Sequence, residues 1–196
     1  LWLVVGLGNP GDEYEATRHN AGFMLVERLA RAWGVEPRGR LYKSRTAAAR
    51  RGGEEVFLVL PKTFMNRSGS AVRAAMAGKE VGPERLLVVY DDLDIPLGEI
   101  RVRRSGRPGT HKGMISIASE IRTDAFPRLR IGIGPLPPGR DAAEFVLEAF
   151  KRCERADLES GLEQAAEALE MVLDGGIERA MTRFNHHRVM TGDSGI

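Results

Sequence analysis

The chain has 196 residues, 42% of them hydrophobic and 29% charged, with a formal net charge of +2 at pH 7. That is enough apolar material for one compact domain and excludes a disordered chain. No apolar run approaches the ~18 residues of a membrane-spanning helix. The single Cys153 cannot close an internal disulfide, which suits a reducing, cytoplasmic setting.

Residues 2–6 read as a buried strand. Leu1-Trp2-Leu3-Val4-Val5 is apolar but short, has no basic leader and runs straight into glycines, so it is a strand rather than a signal peptide. Asn20 to Trp33 carries Val26, Leu29, Ala30 and Trp33 at helical spacing. Residues 45–51 and 55–60 form a hairpin around Gly52-Gly53. Ser68 to Ala77 is a short helix that Ser68 can cap. Leu86 to Tyr90 is a second buried strand, closed by Asp91-Asp92. Residues 99–104 alternate apolar and basic, as a half-exposed strand does. Lys112 to Arg122 is helical, and Leu129 to Ile133 is a strand ended by Gly134-Pro135. Asp141 to Phe150, Ala156 to Leu173 and Ile177 to Phe184 are helices.

Strands alternate with helices, and several strands are apolar throughout. The expected fold is therefore α/β: a single domain over residues 1–187, with a mixed twisted sheet, helices on both faces, and a frayed tail at 188–196. In such folds ligands lie beyond the carboxyl ends of the strands. The chemically suggestive residues fall there, after residues 2–6, 56–60, 86–90 and 99–104.

Gly6-Leu7-Gly8-Asn9-Pro10-Gly11 matches G-x-G-x-x-G, but no acidic residue ends a second strand about 20 residues later, so a dinucleotide cofactor is not expected. A tight turn that needs positive φ explains these glycines, though not the cluster Thr17-Arg18-His19-Asn20. His19 stands just ahead of the first helix, and Asp91 follows a strand at the same edge of the sheet. A carboxylate on one imidazole nitrogen fixes the tautomer and leaves the other free as a base. Asp91, Asp92 and Asp94 could instead serve a turn or a divalent ion. Zinc is not expected, because one Cys and four scattered His give no ligand spacing. Asn66, in Thr63-Phe64-Met65-Asn66, could donate to a carbonyl oxygen as charge develops there, or cap a helix. Phe64 and Met65 are core, or a floor for a peptide or ribose. Neither G-x-S-x-G nor a Walker A pattern is present.

Charge is unevenly placed. Arg38 to Arg51 holds six cations and no acid, and Arg101 to Lys112 holds five and no acid, while acids gather in the C-terminal third. Such segments suit a polyanion such as nucleic acid, or are solvated surface.

Gly8-Asn9-Pro10-Gly11 with Tyr14 and Thr17-Arg18-His19-Asn20 resembles the N-terminal signature of the bacterial peptidyl-tRNA hydrolase family. Thr63-Phe64-Met65-Asn66 with Ser68-Gly69 resembles its second, and Asp91-Asp92-Leu93-Asp94-Ile95-Pro96 with Gly98 its third. Arg128 to Gly134 resembles a later strand. The similarity runs in order from about residue 2 to about residue 185, and four ordered signatures are far more specific than one.

The resemblance implies an esterase that cuts the bond between peptide and tRNA without metal or cofactor, as a monomer. It implies His19 as general base on a water, and Asp91 holding and polarising His19. Asn9 and Asn66 would position substrate, Tyr14 and Met65 would line the peptide and terminal-adenosine cleft, and Arg103 and Arg130 would bind the tRNA 5′-phosphate. His111 is kept in the glycine-rich loop, but Lys112 stands where the family usually has asparagine. A rival reading is a non-catalytic RNA-binding relative of the same fold, which the Lys112 change keeps open and intact His19 and Asp91 oppose.

Overall fold

Every residue of the first strand, β1 (Trp2–Gly6), is buried, as an apolar run covered on both faces must be. In the computed structural model, which describes residues 1–185, β1 lies near the middle of a seven-stranded sheet ordered β2-β3-β4-β1-β5-β7-β6. The other strands are β2 (Gly39–Leu41), β3 (Ser44–Arg51), β4 (Glu54–Pro61), β5 (Leu86–Pro96), β6 (Ile100–Arg103) and β7 (Arg128–Gly134). β4, β1, β5 and β7 run parallel, while β3 and β6 pair antiparallel with β4 and β7. The sheet is mixed, as expected.

The period of two along each strand sorts its side chains between two cores. Trp2 and Val4 join α1 (Ala21–Ala32), α5 (Arg155–Leu173) and α6 (Ile177–Phe184) on one face. Leu3 and Val5 join α2 (Ser68–Lys79) and α3 (Lys112–Ile121) on the other. Burying one such Leu or Val contributes roughly 1.5–3 kcal/mol. The chain leaves β1 toward α1 on one face and leaves β4 toward α2 on the other. The crevice that such a reversal opens lies at the carboxyl ends of the neighbouring β1 and β4, beside that of β5.

Backbone packing at that crevice is close. A Cβ on Gly22, in α1, would sit 2.4 Å from the Val89 carbonyl oxygen, and one on Gly6 would sit 2.5 Å from that of Gly22. The glycines after β1 therefore serve mainly close approach of α1. Of Gly6, Gly8 and Gly11, only Gly11 has positive φ, at 116°, which corrects the expectation of a turn needing it throughout.

Several elements differ from their sequence outlines. β2 was not anticipated; it turns into β3 through Tyr42 and Lys43, both at φ 53°. β5 does not close at Asp91-Asp92, because Asp91 and Asp92 pair with Ile131 and Gly132 of β7 and hold the strand extended. Arg101 in β6 is buried rather than exposed, and its guanidinium meets Glu99 and the Ile100 carbonyl. The helix expected over 141–150 is only α4 (Ala142–Val146), capped by Asp141. Ser68 does not cap α2; its buried hydroxyl donates to the Met65 carbonyl oxygen. The expected tail at 188–196 lies outside the described residues.

Candidate active site

α1 begins with a 3₁₀ turn, Arg18–Asn20, that buries all three of its side chains at the end of β1. His19 from this turn meets Asp91 from β5, with Nδ1 at 3.0 and 2.9 Å from the two carboxylate oxygens. Asp91 is 2% exposed. Burial alone would raise its carboxyl, but the neighbouring imidazoles of His111 and His19 outweigh it and hold the group well below the usual carboxylate range. Asp91 is therefore an anion that accepts hydrogen bonds. With Nδ1–H directed at it, His19 keeps its Nε2 lone pair for another task. That nitrogen has no protein partner among the described residues, and His19 lines an open cleft.

His111 also reaches Asp91, with Nε2 at 3.0 Å from Oδ1. It is the residue just ahead of α3, and its Nδ1 accepts the Met114 backbone N–H at 3.3 Å. The His111 ring is wedged between those of His19 and Tyr90, with centroids 5.0 and 4.9 Å away. His19, Asp91 and His111 form the one group among the described residues close enough to converge on a metal. As they stand, each nitrogen facing Asp91 carries the hydrogen of an N–H···O bond, so the cluster is a hydrogen-bonded one.

Asn9 is held from two sides. Its backbone N–H donates to Asn20 Oδ1 at 2.8 Å, and its carbonyl accepts from Asn20 Nδ2 at 3.0 Å. Its side-chain oxygen accepts the Met65 N–H at 2.9 Å. An amide whose oxygen is occupied in this way presents its NH2 group as the free end. Met65 itself is 3% exposed and belongs to the core under α3; it is not on a cleft wall, which corrects the expectation for its side chain. The room its sulfur needs is supplied by Gly113, where a Cβ would come within 2.6 Å of it. Phe64 is 57% exposed, and Asn66 beside it is exposed, with no side-chain hydrogen bond among the described residues. Tyr14 is half-buried on the preceding 3₁₀ turn, where its carbonyl accepts the Thr17 hydroxyl at 2.7 Å. Asn9, Tyr14, Phe64, Met65 and Asn66 all lie outside the lining of the His19 cleft, and Asn9 lines a smaller neighbouring pocket with Asn20, Pro61 and Lys62.

The cleft has a volume of about 880 Å³. Arg103 and Arg130 both line it, as do Arg107 and Lys112. Arg130 Nε donates to Asp92 Oδ2 at 2.6 Å; burial disfavours its charge, but the Asp92 carboxylate wins and holds the guanidinium above its usual value. Among the described residues, Arg103 makes only a bond to the Val102 carbonyl oxygen. Arg103, Arg107 and Lys112 have no carboxylate partner among the described residues. In contrast, Arg38, Arg45 and Arg51 of the other basic segment pair with Glu36, Glu27 and Glu170. The remaining cations of that segment, Arg40, Lys43 and Arg50, have no ion pair among the described residues, so unpaired positive charge lies there as well as at the cleft.

Three supporting residues escaped the sequence reading. Asn20 clamps Asn9, and Tyr90, kept protonated by burial, backs His111. Arg18 is 1% exposed, bonds Glu154 at 2.7 and 3.0 Å, and stands over the rings of Phe145 and Phe150 at 4.4 and 5.0 Å. Its backbone N–H donates to the Glu148 carbonyl oxygen. It ties the segment around α4 to the residue next to His19. The signal available was the unbroken polar run Thr17 to Asn20 in front of an apolar helix, which glycine turn chemistry did not explain.

The sequence profile of the family described as peptidyl-tRNA hydrolase matches residues 3–192. The peptidyl-tRNA hydrolase of Chloroflexus aggregans is 48% identical over 186 residues, covering 94% of this chain and 99% of that protein. That of Alkaliphilus metalliredigens is 43% identical over 185 residues, covering 94% and 100%. Among solved structures, peptidyl-tRNA hydrolase from Acinetobacter baumannii is similar with a TM-score of 0.86 and 34% identity over 95% of each chain.

Proposed function

The chain belongs to the peptidyl-tRNA hydrolase family, and we propose that His19 and Asp91 carry its hydrolysis of peptidyl-tRNA by general-base catalysis. The carrying observation is the buried Nδ1–carboxylate contact, which leaves Nε2 of His19 open to the cleft. A water bound at Nε2 gives up a proton to it as its oxygen attacks the ester carbonyl. The carbonyl oxygen gains negative charge, and an amide N–H positioned there strengthens its hold as the charge grows. Asn9, beside the cleft, offers such a donor, because its oxygen is already taken by the Met65 N–H. One such donor contributes about 3 kcal/mol to the transition state. The proton on His19 then passes to the departing 3′-oxygen of the tRNA, and the C–O bond breaks. Phe64, Asn66 and Tyr14, at the surface around the Asn9 clamp, would contact substrate at its margin.

Arg103 and Arg130, with Lys112, would hold tRNA phosphate. Phosphate contacts position the nucleic acid without reading its bases. Lys112 begins α3, where a cation is opposed by the helix dipole and gains from an anion nearby. It has no acceptor atom, so it supplies charge rather than the water-holding oxygen of an asparagine. The reading is of a monomeric, cytoplasmic enzyme with residues 1–187 as its catalytic domain. Among the described residues, no helix is long and apolar enough to cross a membrane.

The direct test is release of peptide from a peptidyl-tRNA by the purified protein. We expect EDTA to leave the rate unchanged, since the imidazole nitrogens facing Asp91 hold protons rather than a cation. Loss of the rate in EDTA with recovery on adding zinc or magnesium would assign the cluster to a metal instead. Binding of tRNA should weaken steeply with salt. Arg103→Ala should flatten the slope of log K against log salt by about one unit, as one phosphate contact and its released counterion are lost. An unchanged slope would place the phosphate site elsewhere.

A further inference from the structure

We propose that His111 sets the proton affinity of His19 by sharing the carboxylate of Asp91, and so acts as a positioning residue in the hydrolysis. The proposal rests on the reading of His19 as the base.

Asp91 Oδ1 is contacted by both imidazoles, His19 Nδ1 and His111 Nε2, each at 3.0 Å. The two rings differ in what their other nitrogen does. His111 Nδ1 accepts the Met114 backbone N–H, and a nitrogen that accepts carries no hydrogen, so Nε2 must carry it. His111 is held as a neutral donor, and protonating Nδ1 would break the bond at the start of α3. His19 has no such bond on Nε2, so it is the imidazole able to gain a proton. When it does, the positive ring meets a carboxylate already half committed to His111. Dividing the carboxylate this way weakens its hold on imidazolium and keeps the base neutral and ready.

The same bond fixes the carboxylate plane. Asp91 sits among rings on one side and the β5–β7 ladder on the other, and His111 is packed between Tyr90 and His19. Other charges around His19 come from every neighbouring element. Lys112 of α3 and Arg103 of β6 face the cleft, Asp92 of β5 is paired with Arg130 of β7, and Asp94 lines the rim. Arg18 beside His19 is balanced by Glu154. α4 contributes only apolar residues to the wall. None of these groups is itself changed when His111 alone is substituted, so a difference between two variants that share the loss of the Met114 bond reports the shared carboxylate.

The experiment is an NMR titration of the His19 imidazole in the free protein, run on wild type, His111→Leu and His111→Gln, with the pH dependence of kcat measured alongside. His111→Leu should raise the His19 midpoint by about half a pH unit or more, and the acid limb of kcat should move up with it. His111→Gln can donate an amide hydrogen to Asp91 and should return the midpoint most of the way. Both variants lose the imidazole bond to Met114, so a structural effect at the helix end would move both equally. The wild-type spectrum is a check that needs no variant: the His111 nitrogens should report hydrogen on Nε2 and none on Nδ1. A folded His111→Leu protein with an unmoved His19 midpoint overturns the proposal, as does a wild-type His111 with its hydrogen on Nδ1. A shifted midpoint with an unshifted kcat limb supports the sharing and instead removes His19 as the base.

Discussion

His19→Ala should lower single-turnover hydrolysis by about two to four orders of magnitude, the range attributed to a positioned general base, while tRNA affinity changes little. The asymmetry follows from where the groups lie. His19 is 8% exposed and its Nδ1 is spent on Asp91, so little of it can contact tRNA, whereas the cations that can are Arg103, Arg107, Arg130 and Lys112 in the same cleft. Asp91 keeps the His111 N–H in the variant, so the anion is not abandoned, though losing one of its donors should cost about 1–3 kcal/mol of stability. A thermal melt therefore accompanies the kinetics, and rates are compared where both proteins are folded. A variant that still turns over within tenfold of wild type would remove His19 from the mechanism.

Asp91→Asn should lower the rate by about two to three orders of magnitude, less than loss of the imidazole itself. An amide has one oxygen to accept and an NH2 that donates, yet two imidazole N–H groups converge on this residue. Its oxygen in the Oδ1 position can still accept from both rings, but its NH2 in the Oδ2 position then faces the Nδ1–H of His19, donor against donor. His111 keeps its Met114 bond, so the change falls on His19, whose hydrogen moves to Nε2. The nitrogen facing the cleft then donates where it should accept. The substitution has a second signature in acid. Because the folded Asp91 carboxyl is depressed, its contribution to stability is present above the unfolded carboxyl value of about 4 and is lost as pH falls below it. The melting difference between wild type and Asp91→Asn should therefore shrink as pH is lowered through that range. A hydrolysis rate within fivefold of wild type at neutral pH would show that the carboxylate does not set the tautomer.

Much of the scaffold was legible because its signals are local. β1 is a continuous apolar run between glycines, α6 matches its expected span, and the β3–β4 hairpin turns at Gly52-Gly53, both at positive φ. β5 was cut short because Asp91-Asp92-Leu93-Asp94 has the composition of a turn, and only its ladder to β7, 40 residues away in Asp91↔Ile131, keeps it extended. The same non-local logic hid the site's internal wiring. His19 and Asp91 could be joined on paper because both follow strands. His111 could not, because its loop gives no hint of which way the ring turns. Met65 read as apolar and available, and only the missing side chain of Gly113 shows that it packs inward. In the basic segment at 38–51, the partners that Arg45 and Arg51 find, Glu27 and Glu170, come from distant parts of the chain and could not be read from the segment itself.

β1 and β5 are adjacent, parallel and buried along their shared ladder, and His19 follows one while Asp91 belongs to the other. The two are 72 residues apart in sequence, so the pairing of those strands, with α1 packed on them, is what brings them together. A solvent-exposed loop can fray while the rest of a protein stays intact, but central strands open only when the whole sheet does. A pair held in this way does not come apart by partial opening at the surface. The enzyme's chemistry survives as long as its innermost ladder does and ends with it.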